Sequence, residues 1–235
     1  MENNESFSFQ KAFDKILVEK QQELHDATKA FYVSDMAMCF RKRILKRMGK
    51  EQEPFNERTL RLFYVGNQNH LLYCDILAKA GALLDKEISC YWQEYELAGR
   101  ADALVQTQNN GILLYEFKTT HSRKLLHFDI EEDKRYILQG LTYLHLLNPN
   151  YNNTLKQLRL VLVSRDDLLI KEITFYLTEQ WMNEIIIDIK TLWDYWQKKE
   201  IPPELEKGVW ECKYCGMIKH CPNKLVELKK GGTNG

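Results

Sequence analysis

The sequence predicts an α/β protein in which a mixed central sheet is flanked by helices. Three observations support this fold class: helical apolar periods fill the first third of the chain, short apolar runs typical of strands occupy its middle, and a long amphipathic helix follows them. A chain of 235 residues that is 44% hydrophobic is long enough to bury one large core. Its ten Phe, twelve Tyr and five Trp residues exclude a disordered chain.

Three helices are predicted ahead of the sheet. Residues 7–31 place Phe, Ile and Leu near helical spacing, with Lys, Glu and Gln between them. A second helix is predicted from Ser34 or Asp35 to Met48, because either residue could cap its first turn. The third helix spans residues 57–81.

Strands and two further helices fill the rest of the chain. The predicted strands are 86–95, 96–106, 112–118, 157–164 and 168–176. The run 112–118 is apolar enough to be a central strand. The predicted helices are 131–147, which Asn148-Pro149 stops, and 178–199, which Pro202-Pro203 stops.

Charge and hydropathy limit the partners and the location of the protein. Lys and Arg total 33, as do Asp and Glu, so a nucleic acid would have to bind through a local patch. No apolar run reaches the roughly 18 residues of a membrane span, and the N-terminus lacks the pattern of a signal peptide. We therefore predict a cytoplasmic protein with no membrane partner, in which the six cysteines are thiols or metal ligands.

A charged pair on an apolar strand is the strongest chemical signal. Glu116 and Lys118 are two positions apart on the strand 112–118, so their side chains share a face. If the predicted turn at residues 109–111 is the whole loop, Asp102 pairs with Lys118 and lies diagonal to Glu116. Carboxylates at one point repel each other unless a cation lies between them, and oxygen ligands suit Mg²⁺ or Mn²⁺.

The alternative is a row of surface ion pairs. A bare Glu-x-Lys pattern is short and most often has that meaning. The apolar neighbours on both faces of this strand argue against it, because charges placed there are costly unless they are paired or bound to a metal.

The motifs around this hairpin resemble those of the RecB-like branch of the PD-(D/E)xK nucleases. That branch carries a Gly-x-x-Asp strand, a Glu-x-Lys strand and a Gln-x-x-x-Tyr helix, and the matching segments in the same order are residues 99–102, 116–118 and 139–143. Ala101 stands where the superfamily name has Pro. The resemblance implies a restriction-endonuclease-like fold.

The resemblance also implies roles for individual residues. The implied catalytic residues are Asp102, Glu116, Lys118, Gln139 and Tyr143. The implied ligands of a Mg²⁺ or Mn²⁺ ion are His70, Asp102, Glu116 and the main-chain carbonyl of Phe117. Taken without the motif order, His70 would be an ordinary histidine and Tyr143 a core aromatic residue.

Three cysteines near the C-terminus have the spacing of metal ligands. Cys212, Cys215 and Cys221 would leave a tetrahedral site one ligand short, and either Cys39 or His220 could complete it. Spacing alone does not separate zinc from an iron–sulfur cluster, because both accept four cysteines. Cys74 and Cys90 have apolar or aromatic neighbours and are predicted to be core thiols.

One cysteine before the nuclease motifs and three after them resemble the CRISPR-associated Cas-four exonucleases, a short iron–sulfur form of the RecB-like branch. This resemblance implies a 4Fe-4S cluster held by Cys39, Cys212, Cys215 and Cys221, which would tie the N-terminal helices to the C-terminus. It also implies 5′ to 3′ action on single-stranded DNA. The implied role is the processing of spacer precursors beside the CRISPR spacer-integration complex.

The predicted organisation follows these motifs. An N-terminal helical region over 1–50 carries the first cluster cysteine, and a RecB-like nuclease core spans 51–200. An iron–sulfur cluster segment follows over 201–225, and a flexible tail over 226–235.

A basic stretch follows Cys39 on the second predicted helix. Arg41, Lys42, Arg43, Lys46 and Arg47 would form a local positive patch that could contact DNA phosphates. The alternative is a solvated helix face.

These observations predict a metal-dependent DNA exonuclease. Two alternatives stay open: a RecB-like nuclease of DNA repair or phage recombination, and a non-catalytic nucleic-acid-binding protein with a zinc site. The sequence does not predict the oligomeric state.

Overall fold

A mixed six-stranded sheet lies at the centre of the computed structural model, which describes residues 8–21, 28–107, 111–206 and 210–222. The strands are β1 (Phe31–Tyr32), β2 (Leu83–Trp92), β3 (Leu97–Gln106), β4 (Ile112–Thr120), β5 (Gln157–Ser164) and β6 (Ile170–Tyr176). β3 has β2 along one edge; its other edge is shared by β1 near its start and β4 near its end. β4 then pairs with β5 in parallel, and β5 with β6 antiparallel.

Helices cover both faces of this sheet. They are α1 (Phe9–Gln21), α2 (Phe40–Arg47), α3 (Glu57–Lys79), α4 (Ser122–Leu126), α5 (Lys134–Leu147) and α6 (Glu179–Gln197). α3 packs on a small core built around Phe117 and Val161. α5 and α6 pack on the opposite face, where the larger core includes Leu114, Leu141 and Ile189. This architecture confirms the predicted α/β fold with a mixed sheet between helices.

Several predicted elements are reproduced closely. β5 matches the predicted strand 157–164, and α3 fills most of the segment 57–81, with the Asn56 side chain accepting a hydrogen bond from the Thr59 amide at its start. Thr178 caps α6 in the same way. Beyond the end of α3, Gly81 has a φ of +69°, which a glycine adopts without strain.

The N-terminal predictions need correction. Within the helix predicted over 7–31, α1 spans Phe9–Gln21 and residues 22–27 lie outside the described residues, while Phe31 lies instead in β1, where it is buried and pairs with β3. The second helix begins at Phe40 and not at Ser34 or Asp35, because the residues from Val33 to Asp35 form a single 3₁₀ turn against the sheet. Burial of Phe31 and Val33 against the sheet thus outweighs the local helical periodicity of the sequence.

The centre of the chain also differs in detail. α4 was not predicted, and α5 begins at Lys134 and not at 131. β2 begins and ends earlier in the chain than the predicted strand 86–95, and a 3₁₀ turn follows it. Of the predicted turn at 109–111, residues 109 and 110 lie outside the described residues, as does the predicted tail over 226–235. The domain boundaries stay a prediction.

None of the helices in the described ranges is long and apolar enough to cross a membrane.

Candidate active site

The candidate site lies where β3 and β4 separate. Their backbone pairing runs from Gln106 opposite Ile112 to Ala103 opposite Tyr115 and then stops. In place of the next backbone contact, Oδ2 of Asp102 accepts a hydrogen bond from the Phe117 amide at 2.7 Å. The Asp102 side chain therefore bridges the opening between the strands.

The register differs from the predicted one by two residues. Continued by one step, the observed pairing sets Asp102 opposite Glu116 and not opposite Lys118. Because strand side chains alternate with a period of two, a shift of two residues keeps each side chain on its predicted face. The predicted convergence of Asp102, Glu116 and Lys118 is therefore what the structure contains, with a different pairing.

The opening between the strands joins groups from both faces of the sheet. His70 projects from α3 on one face, and its Nδ1 lies 3.4 Å from Oδ1 of Asp102. Glu116 and Lys118 extend to the other face, towards α5. A strand residue directs its N–H and C=O to the same neighbour, so the Phe117 carbonyl also points towards the opening. The four groups predicted as ion ligands thus lie on the two strands and the helix that border this opening.

A closed hydrogen-bond network lies on the α5 side. Oε1 of Glu116 accepts from Lys118 Nζ and from Gln139 Nε2, each at 2.8 Å, and Lys118 Nζ also donates to Gln139 Oε1 at 2.9 Å. Gln139 and Tyr143 are one helical turn apart on α5, and 3.4 Å separates Gln139 Nε2 from the Tyr143 hydroxyl. The side chains of Glu116, Lys118 and Gln139 therefore hold one another in fixed positions.

Charges in this network perturb one another strongly. Burial raises the pKa of Glu116 to about 7; the charge of Asp102 adds to the rise and Lys118 opposes it. Burial lowers the pKa of Lys118, but the charges of Glu116 and Asp102 outweigh that effect and raise it overall. Burial also lowers the pKa of His70, and the hydrogen bond and charge of Asp102 more than reverse this. A further cation between the carboxylates would relieve their repulsion.

One atom in the site is left for such a cation. Glu116 is only 1% exposed, and its Oε2 is buried with no hydrogen-bond partner among the described residues. A buried carboxylate oxygen without a partner costs free energy, which a bound divalent ion would offset. The described side chains contain no group of three or more His, Cys, Asp or Glu already drawn together as a metal site. The fit therefore rests on oxygen chemistry and on this unpartnered atom.

Tyr136 is a neighbour of the site that the sequence did not connect with it. Its ring lies 5.4 Å from Lys118 Nζ, and its hydroxyl accepts a 2.7 Å hydrogen bond from Arg135. Tyr136 stands three residues before Gln139 on the same face of α5. That spacing, combined with the Gln-x-x-x-Tyr motif, is the signal that could have placed it beside Lys118.

The glycine of the first motif allows a close approach of Tyr143. A Cβ atom at Gly99 would overlap the Tyr143 ring and lie 2.9 Å from Cγ2 of Val33. Both neighbours are buried. The Gly-x-x-Asp motif thus positions Tyr143 as well as Asp102.

We expect Gly99→Ala to lower the free energy of unfolding by about 1–3 kcal/mol, the usual cost of overpacking a core. Urea unfolding measures the change. The control is Gly66→Ala in α3, where an added Cβ meets nothing within 4 Å and better helix propensity should stabilise the protein by up to about 1 kcal/mol. Equal stability of Gly99→Ala and the parent would contradict the close packing described here.

The second predicted site brings four cysteines to one cavity. Cys39, Cys212, Cys215 and Cys221 all line it, and none of these four is in a disulfide. Oε2 of Glu204, which also lines the cavity, is buried and has no hydrogen-bond partner in the described structure. Four thiols from two distant parts of the chain thus share one cavity.

The remaining cysteines and His220 lie elsewhere. Cys74 is buried, and burial raises the pKa of Cys90 to about 11, as expected for core thiols. Nε2 of His220 contacts the Glu51 carbonyl at 3.0 Å. His220 therefore interacts with the segment after α2, while Cys39 faces the three C-terminal cysteines.

Most of the basic stretch on α2 contacts protein. Arg43 is buried and forms a 2.6 Å ion pair with Asp188, and Arg47 is buried in an ion pair with Glu96. Lys46 pairs with Asp35 at 2.7 Å. Burial leaves Arg43 and Arg47 out of reach of a phosphate, so the predicted patch is smaller than five side chains.

Solved structures share this fold. SSO0001 is 21% identical, with a TM-score of 0.59 over 93% of this chain and 98% of that one. The alkaline exonuclease LHK-Exo from Laribacter hongkongensis is 13% identical, with a TM-score of 0.51 over 91% and 99%. Its complex with dAMP is 14% identical, also at 0.51, over 88% and 99%. At these identities the similarity shows the fold alone. No curated protein sequence matched.

The family follows from a match along almost the whole chain. A protein-family profile described as the PD-(D/E)XK nuclease superfamily matches residues 5–222. That range contains the opening between β3 and β4, the Gln139 helix and the cysteine cavity. The chain therefore belongs to the PD-(D/E)XK nuclease superfamily and is a nuclease.

Proposed function

We propose that this nuclease is a metal-dependent DNA exonuclease whose active site is the opening between β3 and β4. The observation that carries the proposal is the buried, unpartnered Oε2 of Glu116 beside Asp102. Nucleases of this superfamily use divalent metals such as Mg²⁺ or Mn²⁺. Here Asp102, Glu116, the Phe117 carbonyl and His70 would hold the ion, and it would supply Lewis acidity and an acidified water.

The protein side chains have separate tasks in this proposal. Lys118 carries a positive charge at the edge of the site, where it would orient the attacking water and offset charge that develops on the phosphate. Gln139 fixes the Lys118 ammonium through a 2.9 Å hydrogen bond. Tyr143 supports Gln139 from the next turn of α5. Hydrolysis then proceeds by direct attack of water, without a covalent intermediate on the protein.

We propose single-stranded DNA, degraded from 5′ to 3′, as the substrate. The support is the motif resemblance to the Cas-four exonucleases. LHK-Exo has been solved with dAMP, a mononucleotide of the kind that an exonuclease releases. In the basic stretch, Lys42 and Lys46 are only partly buried, and we propose these two as phosphate contacts.

The activity assay uses single-stranded DNA labelled at the 5′ or the 3′ end. We expect Mn²⁺ or Mg²⁺ to start degradation and EDTA to stop it, with the 5′ label released first as a mononucleotide. Circular single-stranded DNA is the control and should resist, because an exonuclease needs an end. Stability of both linear substrates in Mn²⁺ would reject the proposal, and cleavage of the circle would identify an endonuclease.

We further propose that the four cysteines hold a 4Fe-4S cluster with a structural role. The support is the cavity that the four cysteines share, together with the order of these cysteines around the nuclease motifs. Metal analysis of anaerobically purified protein tests this: about four iron atoms per chain with broad absorbance near 400 nm are expected from the cluster type. One tightly bound zinc in a colourless protein would instead identify a zinc site.

The proposed biological role is the trimming of spacer precursors beside the CRISPR spacer-integration complex. It rests on the order of the nuclease motifs and cysteines along the chain. Adjacent genes for spacer integration, and co-elution of their products with this protein, are the expected observations. A gene neighbourhood of recombination functions, with no such co-elution, would favour a repair role.

A further inference from the structure

Arg41 links α2 to two backbone carbonyls of the C-terminal segment. Its Nη1 donates to the Pro202 carbonyl at 2.9 Å, and its Nη2 donates to the His220 carbonyl at 2.7 Å. The same guanidinium lines the cysteine cavity. Burial raises the pKa of the Cys221 thiol, while the charge of Arg41 and a hydrogen bond from it act in the opposite direction.

The first turn of α2 also holds the first cysteine. Cys39 immediately precedes α2, and its thiol accepts hydrogen bonds from the backbone amides of Lys42 and Arg41. Burial raises the pKa of the Cys39 thiol, and these backbone amides at the helix start act in the opposite direction. One helical turn therefore contacts Cys39 through its backbone and Cys221 through the Arg41 side chain.

The charges around the cavity show why a cation is needed in its wall. A cluster or zinc ion requires its cysteines as thiolates, and the carboxyl groups of Glu204 and Glu211 line the same cavity. The cationic side chains in the lining are Arg41 and Lys42. Of these two, Arg41 donates side-chain hydrogen bonds to the C-terminal segment in the described structure, and its planar fork serves several acceptors at once.

We propose that Arg41 is the positioning residue of the four-cysteine site. It fixes the Cys221 sulfur at the cavity by binding the carbonyl of the preceding residue, and its charge offsets that of the thiolates. The proposal rests on the proposed metal site at the cysteines. It assigns Arg41, which was predicted to contact DNA, to the surroundings of that metal.

The test compares four full-length proteins purified anaerobically: the parent, Arg41→Gln, Arg41→Lys and Lys42→Gln. Lys42→Gln is the matched control, because it removes one positive charge from the same cavity but keeps the Arg41 contacts. The rate of metal loss is followed as decay of absorbance near 400 nm after EDTA is added, or as transfer to a chromogenic chelator if the metal is zinc. We expect loss about 10- to 100-fold faster in Arg41→Gln, the usual effect of removing an outer partner of a metal ligand.

Two further readouts separate positioning from a general loss of structure. In Arg41→Lys we expect metal loss to stay faster than in the parent, because a point charge does not replace the fork. If the metal is an iron–sulfur cluster, its reduction potential should fall in Arg41→Gln, because hydrogen bonds to the sulfurs help to set it. Hydrogen exchange of the amides of 211–222 should accelerate in Arg41→Gln and stay unchanged in Lys42→Gln.

Distinct outcomes overturn the two proposals. Metal retention at the parent rate in Arg41→Gln, or equally fast loss in Lys42→Gln, overturns the assignment of Arg41 while the cysteine site stands. A parent protein that contains neither iron nor zinc after anaerobic purification overturns the cysteine site itself, and the role of Arg41 with it.

Discussion

The Glu116→Gln variant is expected to lose at least about 1,000-fold of the metal-dependent hydrolysis rate. The substitution keeps the size of the side chain and an oxygen for Lys118 and Gln139, but it removes the anionic oxygen that is buried without a partner. Loss of several kcal/mol of transition-state stabilisation by the ion corresponds to a factor of this size. Initial rates on labelled single-stranded DNA in Mn²⁺ measure it.

The control for this prediction is Glu131→Gln, which removes the same charge from an exposed position. It should hydrolyse DNA at nearly the parent rate. Calorimetric titration with Mn²⁺ should detect binding in the parent and in Glu131→Gln, and little in Glu116→Gln. A Glu116→Gln protein that retains a tenth of the parent rate would show that the ion is held elsewhere.

Replacement of Arg43 by Ala is expected to lower the free energy of unfolding by about 3–5 kcal/mol. The guanidinium is 1% exposed and the Asp188 side chain 11%, so the substitution leaves a nearly buried carboxylate without its partner. For a chain of this length, the loss corresponds to a melting temperature lower by about 6–20 °C. Thermal unfolding followed by circular dichroism measures the shift.

Two comparisons give this result its meaning. Lys42→Ala, on the same helix but with a partly buried side chain, should change the melting temperature little. The double variant Arg43→Met/Asp188→Leu removes both charges and should recover much of the loss. Unchanged stability in Arg43→Ala together with weaker DNA binding would return Arg43 to the role of a phosphate contact.

The convergence of the candidate active site could be predicted because it depends on side-chain alternation. Glu116 and Lys118 share a face by spacing alone. Asp102 reaches them from β3 even though the loop before β4 is longer than the predicted three residues, since a two-residue change of register preserves the face. The unpartnered Glu116 oxygen and the contact of Tyr136 with Lys118 depend on how α5 packs on the sheet, which no sequence spacing specifies.

The roles of the basic residues could not be read from their order. Arg43 faces inward because α2 packs against α6, which carries its partner Asp188, and the partner of Arg47 is Glu96, which immediately precedes β3. Those partners are far away in sequence and carry no motif. The strand at Phe31 was missed for a similar reason: a two-residue strand has no period of its own, and pairing with β3 defines it.

The four-cysteine site has a consequence for the order in which the parts of the protein form. The hydrogen bonds that join α2 to the C-terminal segment connect residues 172 and 179 positions apart. At a synthesis rate of about 5–20 residues per second, Cys39 and Arg41 leave the ribosome roughly 10–35 s before their partners. β1 is synthesised before that interval and β2 to β6 within it, so the nuclease fold can assemble on a nascent chain whose cysteine site is still open. Loading of the proposed metal at the cysteines would then be the last step, and cells short of that metal would accumulate chains with a formed sheet and an open cysteine site.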